Sequence, residues 1–130
     1  MSSLVLDTHT LLWHLAGSDR LSADADRAIK NAVFNGGRLV VSAISLAEIL
    51  YLEEKHRLVA GTFSSVESKV FQAGTAFEEA PITSATVLAM QLIPRDVVPD
   101  LPDRIIAATA KQLNLPLITA DHRYASFQCR

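Results

Sequence analysis

Apolar residues run without a break through Leu4-Val5-Leu6, stop at Asp7, and return at Leu11, Leu12 and Leu15. The first group has the length of a short buried strand. The second, with Trp13 and His14 among it, has helical spacing, and Gly17-Ser18 closes it. Ser22 then reads as the N-cap of a helix over Ala23 to Phe34, with Ala25, Ala28, Ile29, Ala32 and Val33 on one face and Asp24, Asp26, Arg27 and Lys30 mostly opposite. Gly36-Gly37 ends it in a turn. Arg38-Leu39-Val40-Val41-Ser42 is a β-branched run of strand length, followed almost at once by a helical stretch from Leu46 to Lys55 whose Glu53, Glu54 and Lys55 form a solvated face. Past Gly61, the spacing of Val66, Val70, Ala73 and Phe77 predicts a helix capped by Ser64 or Ser65. Ala80-Pro81-Ile82 reads as a weak strand at a sheet edge, because proline cannot donate to a ladder. Thr83 caps a short helix through Leu92.

Residues Ile93 to Pro102 carry three prolines and two acids, which predicts a surface loop. An Ala-rich helix follows from Asp103 to Leu113, with Ala107, Ala108 and Ala110 small enough to let it lie close against a sheet. Asn114 stops it before a last strand, Leu115 to Thr119, and an acid, Asp121. Strands alternating with helices imply an α/β fold with a central parallel sheet and helices on both faces. With no repeat, linker or low-complexity segment, the 130 residues read as one domain.

Composition adds limits. At 49% hydrophobic residues the chain can fill a core, and a net charge of -2 gives no general reason to bind a polyanion. Any nucleic-acid role must rest on local charge, a bound metal or a dimer surface. The single cysteine, Cys129, has no internal partner, which suits a reducing compartment. The start of the chain lacks the features of a secretory leader, and charges interrupt every apolar run before it could span a membrane, so a cytoplasmic location is expected.

Four acids have comparable placement: Asp7 after the first strand, Glu48 a helical turn beyond the second, Asp103 at the start of the Ala-rich helix, and Asp121 after the last strand. In a parallel sheet all four face the edge at which α/β folds bind ligands. Carboxylates gathered there repel one another and call for a cation, and oxygen donors without a Cys or His cluster suit Mg²⁺ or Mn²⁺. Each acid also has a purely structural reading. Asp7 could cap the first helix, Asp100 and Asp103 could be a capping pair, Ser45-x-x-Glu48 fits a capping box, and Asp121 could be a turn residue. Glu48, however, has Ile44, Tyr51 and Leu52 as helical neighbours, and an acid among apolar side chains needs a partner.

The motifs Leu6-Asp7-Thr8-His9-Thr10-Leu11-Leu12-Trp13, Val41-Ser42-Ala43-Ile44-Ser45-Leu46-Ala47-Glu48-Ile49, Asp100-Leu101-Pro102-Asp103-Arg104-Ile105-Ile106-Ala107-Ala108-Thr109-Ala110 and Leu117-Ile118-Thr119-Ala120-Asp121 occur in this order. Together they resemble the PIN-domain ribonucleases of the VapC toxin type over nearly the whole chain. The resemblance implies a three-layer α/β/α domain with a parallel sheet of four to five strands. It also implies a Mg²⁺- or Mn²⁺-dependent acidic site that cuts single-stranded RNA, a small antitoxin that blocks the site, and a homodimer. Asp7, Glu48, Asp103 and Asp121 match the acidic quartet: Asp7 and Asp103 as main ligands, Glu48 acting through water, and Asp121 placed for a second ion or the attacking water. Thr119 matches the hydroxyl residue two before the last acid, and Asp100 an accessory acid. Two departures stand out. The usual Asp-Pro-x-Asp run reads Asp-Leu-Pro-Asp here, and with nine residues after Asp121 the family's fifth strand is expected to be short, around Phe127 to Cys129, or absent.

Other residues are set aside as chemistry. His9 and His14 face different ways on one helix and make no metal pair. Trp13, Phe34, Phe71 and Phe77 sit in amphipathic patterns, as core or dimer contacts. Arg104 and Arg123 flank two acids and could contact phosphate or form salt bridges. The competing functions are a PIN-fold interaction protein without activity and a Mg²⁺-dependent phosphatase. The latter lacks a second acid two residues past Asp7 and a lysine by the last strand.

Overall fold

The computed structural model describes residues 2–119. Among these residues four strands, β1 (Leu4–Leu6), β2 (Leu39–Ser42), β3 (Phe77–Ala80) and β4 (Leu117–Ile118), form one parallel sheet in the order β3-β2-β1-β4. Six helices connect them: α1 (Thr8–Ala16), α2 (Ala23–Phe34), α3 (Ala43–Glu54), α4 (Thr62–Val70), α5 (Ser84–Met90) and α6 (Leu101–Leu113). Every residue of β1 and β2 is buried, as a parallel sheet covered on both faces requires. Leu4, Leu6, Leu39 and Val41 pack with Leu11, Ile29, Leu46, Ile49, Val66 and Val70 from α1 to α4 on one face. Val5, Val40 and Leu117 pack with Ile106, Ala107 and Ala110 of α6 on the other. This is the expected α/β/α sandwich. No helix among the described residues is long and apolar enough to cross a membrane.

Several local expectations change. The periodicity that linked Val70 to Ala73 and Phe77 is broken at Gly74 (φ 86°); α4 ends at Val70, and Phe77 opens the edge strand β3. The edge strand therefore precedes Pro81. Its outward Glu78 and Glu79 discourage pairing with another chain, and Arg38 ties it down through the carbonyls of Thr75 (2.9 Å) and Phe77 (2.7 Å). No serine caps α4. Glu53, expected on a solvated face, instead accepts the N–H groups of Gly61 (3.0 Å) and Phe63 (2.6 Å) at the α4 N-terminus. Those two hydrogen bonds hold its carboxyl below the usual glutamate range. The segment before α6 is not wholly a surface loop either, since Ile93 and Val98 are completely buried under α5 and α6. Phe34 and Phe71 are exposed, so neither belongs to the core.

Gly37 is fixed by contact. A Cβ there would lie 2.6 Å from the backbone carbonyl carbon and oxygen of Ser2, where the chain enters β1. Gly37→Ala is therefore expected to destabilise the fold by about 1–3 kcal/mol, the usual range for overpacking. A lowered urea midpoint with an unchanged slope would show it; an unchanged midpoint would refute the close approach.

Candidate active site

The chain visits the sheet outward from β1 to β2 and β3, then crosses back to place β4 on the other side of β1. The strand order thus reverses between β1 and β4, and a crevice at their carboxyl ends is the natural ligand position in such a sheet. Asp7 stands there. The register pairs Leu6 with Ile118, so the next residues, Asp7 and Thr119, come opposite each other, and the Asp7 N–H donates to the Ile118 carbonyl at 3.2 Å.

Asp7 caps α1 as its structural reading required: Oδ1 accepts the Thr10 N–H at 2.8 Å. Its Oδ2 accepts a short hydrogen bond from the Thr119 hydroxyl. Both bonds orient the carboxylate of Asp7, a residue only 6% exposed. A carboxylate carries about four lone-pair sites, so these two leave acceptor capacity on the crevice side.

Glu48 arrives by a different route. Ser42 caps α3, its hydroxyl accepting the Ile44 N–H at 3.2 Å, so the helix starts at Ala43. Ser45 consequently lies inside the helix, and the capping box Ser45-x-x-Glu48 does not form. Instead, Thr8 Oγ1 donates to Glu48 Oε1 at 2.7 Å and shares a hydrogen bond with the fully buried Ser45 Oγ at 3.0 Å. The partner that the apolar neighbours of Glu48 demanded is the residue after Asp7. Thr8 had no signal of its own in the sequence, and Ser45 had only that of a helix cap.

Asp100 and Asp103 form the capping pair: Asp100 Oδ1 accepts the Asp103 N–H at 3.1 Å, and Pro102 stands within the first helical turn. The displaced proline is therefore harmless to the helix start. α6 leads into a strand parallel to β1, so its N-terminus lies at the edge where β1 ends. Asp103 sits one turn before Ile106 and Ala107, on the stripe that packs against Val5. Arg104 forms no salt bridge among the described residues. Its Nε and Nη2 donate to the carbonyls of Ile93 (2.9 Å) and Met90 (3.0 Å), anchoring the end of α5. Asp121, Arg123 and the Phe127 to Cys129 strand lie outside the described residues.

Among the described residues, the donors placed at this edge are carboxylates and hydroxyls. His9 is exposed at the rim beside Trp13, with ring centroids 5.8 Å apart. His14 packs edge-on to Phe77, and burial lowers its pKa, with Asp26 opposing that shift and Lys30 adding to it. Among the described residues no three Asp, Glu, His or Cys side chains form a ready-made cation cage. Mg²⁺ does not require one, because it keeps several waters and takes one or two carboxylates plus substrate phosphate.

The PIN domain family profile matches residues 4–128. The chain belongs to the PIN domain family. Ribonuclease VapC22 of Mycobacterium tuberculosis is 32% identical to this PIN domain over 126 residues, covering 97% of this chain and 92% of the relative. The crystal structure of FitAcB from Neisseria gonorrhoeae superposes on it with a TM-score of 0.64 at 21% identity, covering 95% of this PIN domain and 91% of that chain. At that identity the likeness is one of fold.

Proposed function

We propose that this PIN domain is a ribonuclease of the VapC kind, cutting single-stranded RNA as the toxin of a toxin–antitoxin pair. The observation that carries the reading is the buried Asp7, held through both oxygens at the point where the strand order reverses. Family membership and the kinship with Ribonuclease VapC22 support RNA as the substrate class, and the same proposal includes a small antitoxin partner that covers the acidic edge.

The oxygen donors fit a hard divalent cation, Mg²⁺ or Mn²⁺, held by Asp7 and Asp103 with Glu48 acting through water and Asp121 completing the quartet. When bound, such an ion would lower the pKa of water and neutralise charge on the phosphate undergoing in-line displacement. The chain's own contribution is positional. Thr10 and Thr119 fix the Asp7 carboxylate, Thr8 fixes Glu48, and the Asp100 cap holds the first turn of α6 that carries Asp103. Asp100 and Thr119 are thus accessory by position, whereas Arg104 serves the α5 to α6 connection. A homodimer is consistent with the exposed Val87, Leu88, Leu92 and Leu101.

The deciding experiment incubates purified protein with unstructured RNA in Mg²⁺, Mn²⁺ or EDTA. Cleavage with either ion and none in EDTA is expected. Intact RNA in every condition would leave the PIN-fold interaction module as the surviving reading. A finer prediction concerns Thr8, whose hydroxyl Val would remove at nearly constant volume. Thr8→Val is expected to lower cleavage about 10- to 100-fold, the range for residues that orient metal ligands. Full activity in this variant would mean that Glu48 needs no such restraint.

A further inference from the structure

A cavity of about 310 Å³ has Thr10, Trp13, Arg20, Leu21 and Thr119 among the residues lining it. Thr10 and Thr119 are the same residues that bond the two Asp7 oxygens, so the cavity and the carboxylate share a wall. Its volume is at the lower end of the range for small-molecule pockets, of the size of one nucleotide. The Arg20 guanidinium lies over the Trp13 indole, 5.0 Å from the ring centroid. Arg20 makes no ion pair among the described residues. Two nearby acids are engaged elsewhere, Asp24 with Arg27 at 2.8 Å and Asp26 with Lys30 at 2.8 Å, while Asp19 lines a neighbouring cavity.

We infer that this cavity binds the nucleotide adjoining the scissile phosphate of single-stranded RNA, with Arg20 as its phosphate-binding residue. The inference rests on the ribonuclease reading and deepens it. A chain of net charge -2 with acids along its reactive edge repels a polyanion, so substrate needs a local cation at that edge. Arg20 supplies one. The contact with Trp13 positions the guanidinium, whose N–H fork can meet a phosphate. Unstacked bases of single-stranded RNA also pack on aromatic and guanidinium planes, and both surfaces meet in this cavity.

Trp13 is the only tryptophan and lines the cavity, so its fluorescence is a probe of ligand entry that the Arg20 variants make specific to this site. The test titrates a mixed-sequence single-stranded RNA oligonucleotide into the protein in EDTA, following Trp13 emission and, independently, the anisotropy of labelled RNA. A saturable change is expected. Arg20→Ala is expected to weaken binding about tenfold, as loss of one charge-assisted contact does. It should also reduce the slope of log K against log salt by about 0.7. Arg20→Lys should keep the slope and recover only part of the affinity. With metal present, Arg20→Ala should raise KM while kcat stays within roughly threefold. Equal affinity and equal salt slope in wild type and Arg20→Ala would overturn the site, even if the wild type cuts RNA. RNA binding that depends on Arg20, in a protein that cuts nothing with either ion, would instead overturn the ribonuclease reading and leave the binding site standing.

Discussion

Asp7→Asn is expected to abolish RNA cleavage, by at least about 10³-fold, while leaving the fold intact. Losing one ligand of a cation removes several kcal/mol of charge stabilisation, and each 1.36 kcal/mol is tenfold in rate. The fold should survive because asparagine caps a helix about as well as aspartate. Its carbonyl oxygen can accept the Thr10 N–H as Oδ1 does now. The Thr119 hydroxyl, which donates to Oδ2, can turn to accept from the new amide. Thermal unfolding within a few degrees of wild type, together with lost cleavage and relief of growth arrest on expression, is the expected combination. An active Asp7→Asn protein would remove Asp7 from the chemistry and leave it a capping residue.

Leu6→Ala is expected to cost about 2–5 kcal/mol, a large share of the roughly 5–15 kcal/mol that stabilises a typical domain. Leu6 is completely buried in the central strand, within the cluster that includes Leu11, Val41 and Ile49. Strands paired on both sides of β1 limit how far the cavity can collapse. The substitution also acts on function, because Leu6 directly precedes Asp7 and pairs with Ile118 next to Thr119. Equilibrium denaturation should show the loss, and saturating substrate should not restore full activity if the Asp7 to Thr119 geometry loosens. A cost below about 1 kcal/mol would mean that the site relaxes far more than a central strand should.

Much of the fold can be read from local patterns. The run Leu4-Val5-Leu6, the serine before Ala23, the glycine at 17 and the Ala-rich stripe of α6 each specify a conformation through nearest neighbours, and all four appear where expected. The errors share a cause. Phe77 fell on a helical spacing by coincidence, and only its place beside Leu39 in the sheet made it a strand residue. Glu53 looked solvated because its partners, Gly61 and Phe63, lie across a turn that no periodicity describes. Ile93 and Val98 were hidden among prolines, although burial under two helices outweighs the loop character of their neighbours.

The acidic site divides in the same way. A carboxylate that closes an apolar run is a local feature, so the position of Asp7 was legible in the sequence, and Asp103 was legible from its place at the start of the Ala-rich helix. The tertiary structure decided how those acids are held. It joined Glu48 to Thr8 across 40 positions and Asp7 to Thr119 across 112, turned Ser45 from a cap into a buried hydroxyl, and set Arg20 over Trp13 in a cavity that Thr10 and Thr119 also line. Hydrogen bonds of this kind depend on strand order and register. Those are fixed only when both faces of the sheet bury their side chains together.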